Sequence, residues 1–159
     1  MFAARLTRHA LLTFAAISLA ACGSDDVPIS PSNPASESYA ASLNVDIATM
    51  TRVSDDLYIQ DIAVGTGDEA VGGRDADVTY TGWLANGNRF DTNVGGRAFT
   101  FTVGAGQVIS GWDQGVKGMK VGGKRKLVIG SRLGYGSTQQ GPIPAGSTLV
   151  FDVELLGVR

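Results

Sequence analysis

From Asp56 onward the chain alternates apolar and polar side chains with a period of two, interrupted by glycine-rich turns. In residues 149–155, Leu149, Phe151, Val153 and Leu155 share one face, and Asp152 and Glu154 the other. In 98–103, Phe99, Phe101 and Val103 oppose Thr100 and Thr102. Segments 57–64 and 76–84 are rich in β-branched and aromatic residues, and 124–129 sends Leu127 and Ile129 to one side. Asn86-Gly87 after the second of these signals a tight turn. Period two over five segments predicts a half-buried antiparallel sheet. One stretch has helical spacing instead: Ile109, Trp112, Val116 and Met119 recur at three, four and three. Ser110 with Asp113 forms the expected capping pair, and Gly122-Gly123 the expected stop. With Gly115 and Gly118 inside it, this helix holds only if its apolar stripe packs on something. The economical solution is an α+β domain, one twisted sheet folded over one short helix.

The first 55 residues follow different rules. Arg5, Arg8 and His9 precede an almost wholly apolar run from Leu11 to Ala21. That run is too short to span ~30 Å of hydrocarbon stably and has the build of a secretory signal. It ends in Leu19-Ala20-Ala21-Cys22, which resembles the bacterial lipobox. The resemblance implies that residues 1–21 are a lipoprotein signal peptide and that Cys22 is the lipidated first residue of the mature chain. Acyl chains bury ~0.8 kcal/mol per methylene and hold a soluble domain on a membrane without a spanning helix. Gly23 and Ser24, rather than an aspartate, follow the cysteine, which favours the outer membrane, with the protein facing the periplasm. Residues 22–55 are expected to form the lipidated cysteine and a flexible tether, since 23–38 are dominated by small, polar and proline residues. Residues 39–52 read equally as a short helix or a strand-like lead-in. The globular domain is expected at 56–159.

Composition narrows the chemistry. Glycine supplies 22 of 159 residues, about twice the usual ~7%, in keeping with a turn-rich β protein. A formal charge of −2 argues against nucleic acid, whose binders need a basic surface. Single Cys and His residues exclude a disulfide framework and thiolate or imidazole zinc cages, which need about four ligands. His9 leaves with the signal and the Cys22 thiol is consumed by the lipid, so triads and dyads built on histidine are unavailable. No cofactor or metal is expected. What remains is an aromatic constellation: Tyr80, Phe90, Phe99, Trp112, Tyr135 and Phe151, with Val108, Ile109 and Ile143 near them in the segment order. These residues read either as a core with phenol tips or as the lining of an apolar pocket. Trp83 alternates away from Tyr80 toward the outer face. Lys117, Lys120, Lys124, Arg125 and Lys126 read as a solvated patch, or else as a contact for membrane headgroups.

Three segments carry a resemblance. VTYTGWLANGNRFD (78–91), FTFTVGAGQVISGWDQGV (99–116) and LGYGSTQQGPIPAGSTLVFDVELL (133–156) closely resemble the FKBP-type peptidyl-prolyl isomerases. Five ordered motifs at family spacing, between about Leu57 and Val158, make it specific. The resemblance implies a sheet of five to six strands wrapped over one helix. It implies that Tyr80, Phe90, Phe99 and Phe151 wall a substrate pocket floored by Trp112, with Val108 and Ile109 at its rim and Ile143 as a contact from the loop. The Ile109 backbone N–H and the Tyr135 hydroxyl would donate to substrate carbonyls, and Asp91 would stand beside the rotating amide. On the residues alone, Asp91 reads as a turn-former in Phe-Asp-Thr-Asn. The sequence departs from the common eukaryotic pattern at Gln107, where glutamate is frequent, and in lacking an arginine at the usual distance from Asp91; Arg97 is the nearest substitute.

The function implied is peptidyl-prolyl cis-trans isomerisation by a monomer. Its substrates would be proline-containing unfolded or partly folded proteins of the bacterial envelope, and macrolides its inhibitors. Imide rotation needs no proton transfer and no covalent intermediate, so the lack of His and Cys is no obstacle. The alternative is a catalytically weak chaperone or protein-binding module on the same fold. A carboxylate hydrolase is disfavoured, because no second acid accompanies Asp91 among the residues that the resemblance places at the cleft.

Overall fold

The computed structural model describes residues 31–159; the expected signal peptide and Cys22 lie outside them. The elements run β1 (Thr51–Ser54), β2 (Leu57–Ala63), β3 (Asp75–Leu84), β4 (Arg89–Thr92), β5 (Phe99–Thr102), α1 (Ser110–Gly115), β6 (Lys124–Ile129) and β7 (Leu149–Val158). The strands form one antiparallel sheet in the order β1-β2-β6-β7-β3-β4, with β5 also pairing to β3. The helix lies on one face. Among the described residues no helix is long and apolar enough to cross a membrane.

The alternation predicted for the last strand is what builds the core. Leu149, Phe151, Val153 and Leu155 are all buried on the helix side, together with Leu127, Ile129, Val78, Phe101 and Val116. Gly111 and Gly115 explain themselves in this packing. A Cβ on Gly111 would stand 2.5 Å from Ile129 Cγ2, and one on Gly115 2.8 Å from Leu127 Cδ2. The helix gives up propensity, about 1 kcal/mol per glycine, so that its backbone can lie directly on β6.

Several expectations are corrected. The helix stops at Gly115, well before Gly122. Beyond it the N–H of Gly118 donates to Ala70 O, and Lys120 bridges Glu69, so these backbone groups pair with a neighbouring segment. Ser110 and Asp113 do not cap the helix; Ile109 is the N-cap and no side chain bonds there. Phe90-Asp91-Thr92-Asn93 reads as a turn on its residues alone, yet its first three residues lie in β4, paired with β3. Of the expected solvated basic patch, Arg125 and Lys126 are buried. Arg125 pairs with Asp61 through Nε (2.6 Å) and Nη2 (3.1 Å), and its Nη1 donates to the Gly115 and Lys117 carbonyls. A guanidinium at that helix C-terminus complements the dipole. Lys126 Nζ donates to Asp152 at 2.5 Å, and lies 6.0 Å over the Trp83 ring. Both side chains bury their stems while the charge finds a cross-strand partner.

The boundary expected at residue 56 falls inside the packed unit. Thr51–Ser54 is a sheet strand, and Leu43 and Met50 are buried against Tyr58, Val128 and Val150 on the sheet face away from the helix. Tyr39, Val45, Ile47 and Trp83 pack around them. Each buried aliphatic side chain contributes about 1.5–3 kcal/mol, enough to hold a segment whose first residues are polar. This second layer also explains why Val128 and Val150 are apolar on strands that alternation alone leaves half exposed.

Candidate functional site

Phe151 on β7 stands opposite Gly82 on β3, and Phe99 on β5 stands opposite Val78. Tyr80, two residues from each β3 position, shares their face. The start of α1 adds Trp112 beneath, and β4 adds Phe90. These rings enclose a cavity of about 200 Å³ lined by Tyr80, Phe90, Asp91, Phe99, Gln107, Val108, Ile109, Trp112, Tyr135 and Phe151. Trp112 is the hub. It meets Tyr80 edge-on at 5.0 Å and 88°, Phe151 at 5.3 Å and 86°, and Phe99 at 6.2 Å and 79°. Phe90 meets Phe151 at 5.5 Å and 85°. Edge-to-face pairs contribute about 0.5–1.5 kcal/mol beyond area burial, so the set is mutually locked. Trp112 and Phe151 are each 4% exposed, while Phe99 is 41% and Tyr135 38% exposed. The cavity therefore has a dry floor and an open rim. The Trp112 indole Nε1 is buried without a protein acceptor.

The polar groups are few and differently committed. The Tyr80 hydroxyl donates to Asp91 Oδ2 at 2.6 Å, and the Thr92 N–H donates to Asp91 Oδ1 at 2.8 Å. The ion pairs among the described residues do not include Arg97, so tyrosine rather than arginine holds this carboxylate. Burial, then the hydrogen bond to Asp91 and its charge, raise the Tyr80 phenol above its ordinary value. Burial and then the Asp91 charge also raise Tyr135. Both phenols are thus protonated donors at neutral pH. Tyr80 has spent its proton on Asp91; the Tyr135 hydroxyl makes no hydrogen bond to the described residues and neither does the Ile109 N–H. The Tyr135 hydroxyl and the Ile109 N–H therefore remain free at the rim of the aromatic cavity, above the unpartnered Trp112 Nε1 in its floor. Three His, Cys, Asp or Glu side chains do not converge anywhere among the described residues as a metal would require.

Nine of the ten pocket residues named from the sequence line this one cavity. Ile143 does not. It is buried in the core, and its backbone closes a tight pairing with Gln140 at 2.9 Å in both directions. The side chain of this loop residue packs inward in the core and does not line the cavity. Two residues outside the sequence-based set shape the site. Gln107 lines the cavity, and its Oε1 accepts the Thr102 N–H at 2.9 Å. Asp113 accepts the N–H groups of Gly104 and Gly106, both at 2.9 Å, and so braces the loop that delivers Gln107, Val108 and Ile109. The adjacency of Gln107 to Val108-Ile109 was a signal for the first. Nothing in the sequence separates Asp113 from a helix cap.

A family model described as FKBP-type peptidyl-prolyl cis-trans isomerase matches residues 67–156, more than half of the chain. An FK506-binding protein of Neisseria meningitidis serogroup A is 54% identical over 104 residues, covering 64% of this chain and 95% of that protein. The crystal structure of FkpA from Escherichia coli superposes with a TM-score of 0.63 at 40% identity, covering 69% of this chain; this chain spans about half of FkpA (51%). The structure of AtFKBP13 superposes with a TM-score of 0.61 at 41% identity, over 65% of this chain and 93% of its own. Fold, aromatic cavity and sequence agree, and the chain belongs to the FKBP-type peptidyl-prolyl cis-trans isomerase family.

Proposed function

We propose that the aromatic cavity takes up an X–Pro segment of an unfolded or partly folded envelope protein and lowers the barrier to its imide rotation. The supporting observation is the pairing of a dry floor of edge-on rings with two uncommitted donors, the Tyr135 hydroxyl and the Ile109 N–H. An X–Pro bond rotates over ~18–20 kcal/mol, in tens to hundreds of seconds. At the top of the barrier conjugation is lost, and the imide has less charge separation than when planar. Water favours the planar, polar state; an apolar cavity withdraws that preference and so binds the twisted form better. The two donors fix carbonyls in the rotated geometry. The Asp91 carboxylate, held by Tyr80 and Thr92, sets a fixed negative charge beside the carbonyl carbon left electron-poor by the twist. A 10⁴-fold acceleration requires only ~5.5 kcal/mol, within reach of desolvation plus a few oriented bonds.

The envelope setting rests on Leu19-Ala20-Ala21-Cys22, read as a site of lipid attachment on the periplasmic side of the outer membrane. The protein acts there as a monomer, and macrolides of the FK506 class compete for the cavity. The test is cis/trans exchange in an Ala-Leu-Pro-Phe peptide followed by NMR, with and without such a macrolide. Acceleration at micromolar protein, abolished by the macrolide, is the expected result. Exchange at the spontaneous rate would overturn the proposal in favour of a module that binds without turnover.

A further inference from the structure

Tyr135 sits on the connection between β6 and β7, and the part of that connection around it hangs on Ser131. The Ser131 carbonyl accepts the N–H of Gly134 at 3.1 Å and of Gly136 at 2.8 Å, the two residues that flank Tyr135. Ser131 is itself 1% exposed, and its remaining polar groups are taken by a residue 99 positions earlier. The Ser131 N–H donates to Ser32 Oγ at 3.0 Å, and the Ser32 N–H donates back to Ser131 Oγ at 3.1 Å. The same early segment holds both ends of the connection. Pro34 closes over Gly130, where a Cβ would lie 3.0 Å from Pro34 Cδ. At the far end, Thr148 Oγ1 donates to Glu37 Oε2 at 3.2 Å.

We propose that residues 32–37 form a clasp that positions the Tyr135 hydroxyl over the cavity, with Ser32 as its positioning residue. The inference rests on the isomerase reading of that cavity and adds to it a contribution from the segment that composition alone assigns to a tether. The physical ground is that this connection is long, glycine-rich and without strands, and that the turn bonds on either side of Tyr135 converge on one residue, Ser131. A reciprocal pair of hydrogen bonds at a buried serine removes freedom at the residue from which both neighbours of Tyr135 are suspended. Losing the Ser32 oxygen leaves the buried Ser131 N–H without its acceptor, a penalty that local opening relieves.

The test is Ser32→Ala in the full chain, with Ser32→Thr as the variant that keeps the oxygen. Amide hydrogen exchange at Gly134 and Gly136 is expected to quicken about five- to tenfold in Ser32→Ala, while amides of β7 keep their protection. Prolyl isomerisation is expected to drop about three- to tenfold in kcat/KM, with recovery in Ser32→Thr. In a Tyr135→Phe background the same Ser32→Ala change should cost less than twofold, because the clasp acts through the hydroxyl already removed. Unchanged exchange at both glycines in the folded variant overturns the clasp, and so does an activity loss that persists in full on top of Tyr135→Phe. The exchange measurement needs no turnover, so a wild-type protein without isomerase activity would sink the functional reading and leave the clasp to be judged separately.

Discussion

Two tyrosines at one cavity have different work because one carboxylate lies nearer to the first. Tyr80 is bonded to Asp91 and restrains it; the Tyr135 hydroxyl has no partner among the described residues and is, on the proposal above, the donor to a ligand. Removing the free donor should weaken macrolide binding by about two- to tenfold, the worth of one neutral hydrogen bond, so Tyr135→Phe is to be titrated by calorimetry against wild type. Asp91→Ala should instead lower isomerisation by about tenfold or more with little change in macrolide affinity. Equal effects of the two substitutions on both readouts would contradict the division of labour. The raised Tyr80 phenol also has a pH consequence. Folding favours its protonated form, so the stability it contributes is complete below its ordinary value of about 10 and is lost as pH climbs beyond that toward the folded-state value. Melting temperature should therefore fall more steeply above about pH 10 in wild type than in Tyr80→Phe.

At the scale of the element, the helix is a case where packing overrides propensity. Gly115→Ala gains about 1 kcal/mol of intrinsic helicity, yet its methyl would meet Leu127 at 2.8 Å inside the core. Overpacking costs about 1–3 kcal/mol, so the net effect should be destabilising, measured as a lower urea midpoint at unchanged slope. A rise in the midpoint would show that the helix can lift off β6 without penalty. The helical pattern itself was legible from Ile109, Trp112 and Val116. Its end was not, because the competitor for the backbone of Gly118 to Lys120 is the segment at Glu69-Ala70, and no local signal names a partner fifty residues away. The same reason hid β4: Phe-Asp-Thr-Asn has turn chemistry, and only pairing with β3 makes it a strand.

For the whole molecule, the sheet carries two layers, the helix on one side and residues 39–50 on the other. Leu43→Ala should destabilise the domain by about 2–5 kcal/mol, as for a buried leucine, measured by equilibrium unfolding. An effect under about 0.5 kcal/mol, typical of a surface position, would return this segment to the status of a tether. The proposed attachment to the membrane is a separate matter, resting on Cys22, which lies outside the described residues. Cys22→Ser should release the protein from the membrane fraction into the soluble one without altering the fold; sedimentation of the variant with the envelope would contradict a lipid on that residue.

By itself the sequence determined the alternation that builds the sheet, the single helical stripe, and the aromatic residues that meet at the cavity. These follow from local periodicity and from residue types that have few other uses. Which polar groups in that cavity are spent and which are free was decided only by the tertiary structure. So were the burial of Arg125 and Lys126, the inward turn of Ile143, and the attachment of the early segment to Ser131. Each depends on a partner remote in the chain, and hydrogen bonds and ion pairs leave no periodic trace by which a sequence could announce them.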